Sequence, residues 1–310
     1  MTATARMDPE MAAARARMDA EAAKYPPVVP REPFEAQRRI NEILTLPWCE
    51  GGPVMLSTAE RWVAARGRRI LCRMHRPVAG EALPLLVWFH GGGWVWQTID
   101  THDRLVRELA AGSGMAAVSV DYSLSPEARF PFAVQEGAAV VRALAAAAED
   151  WGIDPARIVL GGDSAGGNLA LGVALALRAE GGPKLAGLHL AYPVTDTDFE
   201  SPSYLEFAEG YGLTRAAMMA YWDLYLREAS DRQNPLACPL KADLTGMPPT
   251  LIQLAELDVL YSDGERLAQK MASATLQTYS GMLHGFLRLT STVTTARHAV
   301  ADASAWLALR

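Results

Sequence analysis

The stretch IVLGGDSAGGNLAL, residues 158–171, decides the fold because it joins an apolar strand to a helix through a very short turn. Its centre, GDSAG at 162–166, fits the pattern Gly-x-Ser-x-Gly, which places a serine on a strained strand-to-helix turn. Glycine on both sides lets the strand and the helix pass without a Cβ clash. The serine then lies at a helix N-terminus, where the helix dipole stabilises negative charge. Because serine is also a common N-cap residue, this motif needs support from the rest of the chain.

Strand-like and helix-like segments alternate on both sides of this turn. The strand patterns lie at 84–89, 116–122, 157–161, 185–192, 249–256 and 274–279, and the helical patterns at 100–114, 133–150, 164–180, 263–272 and about 290–309. This alternation predicts an α/β fold with a mostly parallel central sheet flanked by helices. Residues 54–76 predict two more strands around a turn at Arg66 and Gly67, which would form an antiparallel edge.

Two segments fall outside the alternation and predict a helical cap. Residues 1–48 carry helical patterns, and residues 196–245 interrupt the alternation with a stretch rich in aromatic residues and methionine. We therefore expect N-terminal cap helices at 1–48 and a catalytic domain at 49–310 with a cap insertion at about 196–245. Ligands of such sheets bind at the carboxyl ends of the strands, so both segments would cover the site.

Composition excludes several classes of function. The chain has 310 residues, a net charge of −6 and three cysteines without a Cys-x-x-Cys pair. This balance gives no reason to expect nucleic acid or an anionic membrane as a partner, and a disulfide framework or a zinc site is disfavoured. No apolar run approaches the roughly 20 residues that span a bilayer, and the N-terminus lacks a signal-peptide core. We expect a cytoplasmic protein without a stable membrane anchor.

A serine nucleophile needs a base and a third group that orients the base, and the chain supplies both. Asp258 follows one predicted strand and His284 follows the next, so the chain order is Ser164, Asp258, His284. This is the order of α/β-hydrolases, and all three residues would lie at one edge of the sheet. Asp263 competes for the acid role, although it lies in the first turn of a predicted helix, and Glu256 is a weaker competitor.

The glycine loop HGGGW, residues 90–94, follows the strand at 84–89 and exposes consecutive backbone N–H groups. The loop can direct the N–H groups of Gly91 and Gly92 at a developing oxyanion. A phosphate-binding loop is the alternative, but neither known phosphate-loop pattern is present. We expect His90 to hold this loop through hydrogen bonds. Structural roles are expected for the histidines elsewhere, which are His75, His102, His189 and His298.

Taken together, these motifs resemble the hormone-sensitive lipase-like carboxylesterases, the bacterial family IV esterases. The resemblance covers about residues 50–310 and rests on HGGGW at 90–94, DYSLSPE at 121–127, GDSAGGNLA at 162–170, ELDVLYSDG at 256–264 and GMLHGF at 281–286. It implies an α/β-hydrolase fold with a helical cap. It also implies that Ser164 is the nucleophile, Asp258 the acid and His284 the base, with an oxyanion hole formed by Gly91, Gly92 and Ala165.

Some positions depart from the family pattern without removing a catalytic group. Ser123 and Ser125 stand where an arginine and an alanine are usual, Gln97 replaces a usual glycine, and Ser280 replaces a usual proline. The changes at positions 97 and 123 affect the expected shape of the pocket, so substrate preference carries over less directly than the triad.

The resemblance predicts a serine carboxylesterase for short-chain or aryl carboxylic esters, with a small-molecule ester substrate and no metal or cofactor. Apolar residues in the glycine loop and the insertion are candidates for the pocket, although each could equally pack in the core. These candidates are Trp94, Trp96, Phe207, Tyr211, Leu213, Met218 and Trp222.

Two other functions stay open at this point. An aryl or acyl amidase would use the same triad. Plant gibberellin receptors are similar to this family and bind a small ligand without turnover, but they lack the catalytic histidine that this chain retains at His284. The resemblance also leaves open a homodimer formed through the final strand and helix.

Overall fold

The computed structural model describes residues 3–310, which are organised around one eight-stranded sheet. The strands are β1 Ser57–Ala65, β2 Arg68–Arg76, β3 Leu83–Phe89, β4 Ala116–Val120, β5 Ile153–Asp163, β6 Gly187–Ala191, β7 Thr250–Leu257 and β8 Ala274–Leu283. Their order across the sheet is β1-β2-β4-β3-β5-β6-β7-β8. Strand β2 runs antiparallel to β1 and β4, and all the other neighbours are parallel. The predicted parallel sheet with an antiparallel edge is confirmed.

Burial follows the position of each strand in the sheet. Every residue of β4 and β6 is buried, as expected for inner strands that are covered by helices on both faces. Strand β1, at the antiparallel edge, is exposed over most of its length. The buried inner strands therefore carry the core, and their carboxyl ends meet at one rim.

Helices cover the sheet and alternate with its parallel strands. Within the described residues the α-helices are α1 Ala3–Arg6, α2 Pro9–Ala22, α3 Phe34–Thr45, α4 Asp103–Ser113, α5 Phe132–Ala146, α6 Ala148–Trp151, α7 Ala165–Ala179, α8 Pro202–Glu206, α9 Arg215–Tyr225, α10 Tyr261–Lys270 and α11 Thr294–Leu307. Helix α5 packs on α7, and α4 packs on α11. Helix α7 is buried almost throughout, which its run of alanine, glycine and leucine allows.

The insertion between β6 and β7 contains two short α-helices within the described residues. Helix α8 ends at Glu206, and α9 begins only at Arg215. Gly210 and Gly212 between them have φ angles of +86° and +94°, which only glycine adopts readily. Thr214 then caps α9, because its hydroxyl accepts from the Ala217 N–H at 3.1 Å.

Helix α3 lies against the body through polar contacts of Arg38, whereas α2 buries Met11 and Ala14 in the core. Arg38 of α3 donates to the carbonyl oxygens of Val95 and Ser125, both at 2.9 Å, and its guanidinium binds both oxygens of Glu127. Among the described helices, none is both long and apolar enough to span a membrane.

Candidate active site

Ser164 lies at the turn between β5 and α7, as the sequence predicts, with φ +57° and ψ −121°. A Cβ on Gly166 would come within 1.9 Å of the Phe89 carbonyl oxygen, and a Cβ on Gly162 within 2.3 Å of the Gly166 oxygen. Real Cβ atoms do not approach backbone oxygens this closely, so both positions require glycine. The turn holds Ser164 at a positive φ, which is rare for a residue with a side chain.

A continuous hydrogen-bonded chain joins Ser164, His284 and Asp258. The Ser164 Oγ lies 2.9 Å from His284 Nε2, and His284 Nδ1 lies 2.6 Å from Asp258 Oδ2. Asp258 is 1% exposed, and its second oxygen accepts from the Leu260 N–H at 3.0 Å. The carboxylate is therefore fixed on both sides. These are the distances at which a base can take the serine proton while a carboxylate orients the imidazole.

The two competing acids contact other groups. Asp263 accepts from the backbone N–H groups of Thr195 and Asp196, and burial raises the pKa of its carboxyl to about 7. Glu256 accepts from the Gly281 N–H at 2.8 Å. Neither acid has a hydrogen bond to His284 within the described residues, which leaves Asp258 as the partner of that imidazole.

The N–H groups of the glycine loop differ in whether they already have a hydrogen-bond acceptor. The Gly91 N–H donates to Asp163 Oδ1 at 3.0 Å, so this predicted oxyanion donor already has an acceptor. Within residues 3–310, the N–H groups of Gly92, Gly93 and Ala165 have no hydrogen-bond acceptor. Gly92 and Gly93 line the same cavity as Ser164. A Cβ on Gly92 would lie 2.3 Å from the Trp96 carbonyl oxygen, so only glycine fits there.

A second aspartate–histidine pair lies beneath the glycine loop, and the sequence analysis missed it. Asp163 is 3% exposed, and its Oδ1 lies 3.2 Å from His102 Nε2. Burial alone would raise the pKa of the Asp163 carboxyl, but the charge and hydrogen bond of His102 lower it to about 2. Asp163 is therefore an anion that ties the Gly91 N–H and His102 together. In the sequence, the sign of this pair was the aspartate that directly precedes Ser164 in the GDSAGG motif.

His90 holds the loop from its other end, as expected. Its Nδ1 lies 2.8 Å from the Gly91 carbonyl oxygen, and its ring stacks on Tyr122 with centroids 4.3 Å apart. Burial lowers the pKa of His90 to about 3, so the ring stays neutral and its N–H donates to the loop carbonyl.

A cavity of about 150 Å³ lies in front of Ser164 and His284. Of the predicted pocket residues, Trp96, Leu213 and Met218 line it. Six other side chains line it, which are those of Asn41, Gln97, His102, Asp163, Tyr221 and Arg288. Of these, the sequence marked only Gln97 as a position that affects the shape of the pocket.

The other predicted pocket residues lie away from the cavity. Trp94 is 1% exposed and stacks on Tyr225 at 4.1 Å, and the fully buried Trp222 packs beside them. Phe207 and Tyr211 pack on each other at 5.1 Å and beneath the Arg6 guanidinium. The prediction placed all four in the pocket because aromatic side chains in a core and in a pocket have the same sequence signal.

Comparison with known proteins decides the family. The model of the alpha/beta hydrolase fold family matches residues 86–288. The chain belongs to this family. The predicted α/β-hydrolase fold and the resemblance to hormone-sensitive lipase-like esterases are confirmed.

Two mycobacterial relatives and two solved structures illustrate the similarity. The chain is 36% identical over 255 residues to carboxylic ester hydrolase LipN of Mycobacterium tuberculosis, covering 78% of this chain and 68% of LipN. It is also 36% identical over 231 residues to carboxylesterase NlhH of the same species, covering 72% of each. Ester-hydrolase EH1AB1 from the Lake Arreo metagenome superposes with a TM-score of 0.92 at 34% identity, over 98% of each chain. A thermostable esterase from Pseudomonas putida ECU1011 has a TM-score of 0.90 at 34% identity, over 98% of this chain and 97% of its own.

Proposed function

We propose that this carboxylic ester hydrolase cleaves short-chain or aryl esters by two-step acyl transfer through Ser164. The observation that carries the proposal is the chain of contacts from Asp258 to His284 to the Ser164 hydroxyl, at 2.6 and 2.9 Å. His284 takes the serine proton as the oxygen attacks the ester carbonyl, and Asp258 stabilises the charged imidazole. His284 then protonates the departing alcohol, and water hydrolyses the acyl-enzyme by the same route in reverse.

The oxyanion of this mechanism would be held by backbone N–H groups. The prediction named Gly91, Gly92 and Ala165, but the N–H of Gly91 is bonded to Asp163. We therefore replace Gly91 with Gly93, so that Gly92 and Gly93 donate from the loop and Ala165 donates from the N-terminus of α7. Preorganised donors of this kind typically contribute about 10²–10³ in turnover each.

The size and lining of the cavity favour small substrates. Its volume is about 150 Å³. Trp96, Leu213 and Met218 supply apolar surface to it. Such a space suits a short acyl chain or a compact ring better than a long alkyl chain.

We also propose that residues 1–48 and about 196–245 act together as the cap; residues 1 and 2 lie outside the described part of the chain. Asn41 of α3 lines the cavity from the first segment, and Leu213, Met218 and Tyr221 line it from the second. Both segments thus contribute side chains to the wall of the site.

The test is hydrolysis of p-nitrophenyl esters from acetate to laurate by wild type, Ser164→Ala and Ser119→Ala. Ser119 is a matched control, because it is buried in β4 and its hydroxyl has no hydrogen-bond partner in residues 3–310. We expect activity that is highest for short chains, abolished by Ser164→Ala and retained by Ser119→Ala. Activity that survives Ser164→Ala would refute the proposal, and an anilide cleaved faster than its matching ester would make the enzyme an amidase.

A further inference from the structure

The cavity contains a cationic side chain that the acyl-transfer mechanism does not use. Arg288 lies in the short turn that follows His284 and lines the cavity together with Ser164. Its Nη1 donates to Gln97 Oε1 at 3.1 Å. Its Nε is buried without a hydrogen-bond partner in residues 3–310. No aspartate or glutamate oxygen of the described residues lies within 4.0 Å of the guanidinium.

Arg288 differs from other arginines around the site, because those arginines bind a carboxylate. Arg38 binds both oxygens of Glu127, and Arg104 and Arg107 each bind a carboxylate on α4. A guanidinium presents five N–H donors that match a carboxylate in geometry and charge. Arg288 keeps most of these donors unused beside the proposed nucleophile.

Gln97 holds the guanidinium in place at some cost to its own backbone. It has a φ angle of +75°, a region that favours glycine, and it stands where related esterases usually have glycine. Its side-chain oxygen accepts from Arg288, and both side chains line the cavity. A strained residue whose side chain orients a charged group in a cavity is typical of a binding site.

Among the described residues, no carboxylate that lines the cavity binds Arg288, so its guanidinium is available to a ligand. Asp163 is the one carboxylate among the described lining residues, and its oxygens already accept from the Gly91 N–H and His102. Asn41 adds a buried amide oxygen without a partner in residues 3–310. Rotation of this amide would direct its NH₂ group into the cavity as a further donor.

We infer that Arg288, oriented by Gln97, binds a free carboxylate on the substrate, so that the preferred esters are small and anionic. This inference rests on the proposed esterase function and specifies its substrate class. The carboxylate belongs either to the acyl part, as in a half-ester of a short dicarboxylic acid, or to the alcohol part, as in an ester of a hydroxy acid. The cavity volume of about 150 Å³ favours small groups on both sides of the ester.

The test compares carboxylate esters with matched carboxamides, so that only the charge changes. The acyl-side pair is monoethyl succinate and ethyl succinamate, and the alcohol-side pair is acetoxyacetate and acetoxyacetamide. For each pair, kcat/KM is measured in a pH-stat, and the ratio of carboxylate to amide is compared among variants. Arg297→Gln serves as the matched control, because Arg297 contacts Thr290 and Thr294 and does not line this cavity.

We expect the wild-type ratio to exceed about tenfold in one pair, as a charge-assisted hydrogen bond provides. Arg288→Gln lowers that ratio about tenfold or more, Arg288→Lys lowers it less, and Arg297→Gln leaves it unchanged. Added salt lowers the wild-type ratio as well, since it screens the charge. The pair that responds identifies the side of the ester that carries the carboxylate.

Two outcomes would overturn the inference, and they are distinguishable. A ratio that is equal in wild type and Arg288→Gln, with both amide esters still hydrolysed and Ser164→Ala inactive, refutes carboxylate recognition and leaves the esterase function intact. Loss of activity toward every ester in wild type, or activity that survives Ser164→Ala, refutes the esterase function and the inference with it.

Discussion

Two aspartate–histidine pairs flank Ser164, and they differ in what the second ring nitrogen contacts. In the first pair, Asp258 binds His284 at 2.6 Å, and the other nitrogen of the ring lies 2.9 Å from the serine hydroxyl. In the second pair, Asp163 binds His102 Nε2 at 3.2 Å, and the other nitrogen lies 3.0 Å from a threonine hydroxyl. Of the two imidazoles, only that of His284 lies within hydrogen-bond distance of the Ser164 hydroxyl, with which it can exchange a proton.

The two pairs show that a residue next to Ser164 in the sequence need not belong to its hydrogen-bonded chain. Asp163 is the immediate neighbour of Ser164, yet its carboxylate points to the glycine loop. Asp258 and His284 come from the ends of two later strands and complete the site. The side chain of His102 is 1% exposed and that of His284 is 14% exposed, in line with a structural role for the first and a reacting role for the second.

The largest expected difference in kcat is between variants of the two histidines. His284→Gln removes the proposed base and lowers kcat by about 10⁶-fold, as removal of the base does in serine hydrolases. His102→Gln acts only through the glycine loop, so we expect a loss of no more than about 10²–10³-fold, the contribution of one oxyanion donor. The measurement is kcat for p-nitrophenyl acetate, with circular dichroism to show that both variants fold. Equal losses would contradict the assignment of roles.

The two aspartates provide the next test. Asp258→Asn is expected to lower kcat by about 10⁴-fold, because the amide no longer fixes the productive tautomer of His284. Asp163→Asn leaves that tautomer unchanged and should reduce kcat far less. Single-turnover kinetics on the same ester separates the chemical step from product release in both variants. A larger loss for Asp163→Asn would reverse the roles of the two pairs.

A smaller loss of kcat is expected when a substitution distorts the glycine loop. Gly92→Ala introduces a Cβ 2.3 Å from the Trp96 carbonyl oxygen at a φ of +114°. The loop must shift, and we expect kcat to fall by about 10²–10³-fold through loss of oxyanion donors. Gly246→Ala is the control, since Gly246 also has a positive φ, +73°, with no neighbour within 4 Å of the added Cβ. Equal effects on kcat would show that backbone strain alone is responsible.

We expect Asp163, which is paired with His102, to make the free energy of unfolding depend on pH. The folded-state pKa of Asp163 is lowered to about 2 from the usual aspartate value of 3.8, so its contribution is present above pH 3.8 and is lost as the pH falls toward 2. The contribution is about 2 kcal/mol in the free energy of unfolding. Urea unfolding between pH 5 and 2, as an approximate range, measures it. Asp163→Asn should flatten the curve in this range, and an unchanged slope would mean that Asp163 carries no such charge.

The smallest effect on kcat is expected at Arg38, which contacts neither pair. Arg38→Met retains the apolar stem and removes the hydrogen bonds to Val95, Ser125 and Glu127. We expect the free energy of unfolding to fall by about 1–3 kcal/mol, while kcat changes little. The exposed neighbour Arg39 on the same helix is the control, and Arg39→Met should leave stability unchanged. A loss of kcat comparable to that of Asp258→Asn would show that the cap controls the chemistry.

The sheet, its antiparallel edge and the positions of Ser164, Asp258 and His284 at the strand ends could all be predicted from the sequence. Each of these features follows from a local pattern: alternating elements, or a short motif next to a strand. The prediction for Gly91 could not anticipate Asp163, because their hydrogen bond joins residues that lie far apart in the sequence. The order of residues in a loop does not show which of its N–H groups already has an acceptor.

The cavity wall was harder to predict for a related reason. Trp94 and Met218 are both apolar residues in the predicted region, yet the first packs in the core and the second lines the cavity. Asn41 and Arg288 have polar side chains of the kind that usually faces solvent, yet both line the cavity. Patterns of hydrophobicity do not separate these environments.

The most direct test of the central claim is the site of covalent labelling by diethyl p-nitrophenyl phosphate. This reagent phosphorylates an activated serine and releases p-nitrophenol. We predict one adduct per chain, found by mass spectrometry on Ser164, at a rate that His284→Gln greatly reduces and His102→Gln reduces much less. Complete inactivation with the adduct on another residue, or equal labelling rates in wild type and His284→Gln, would contradict the account.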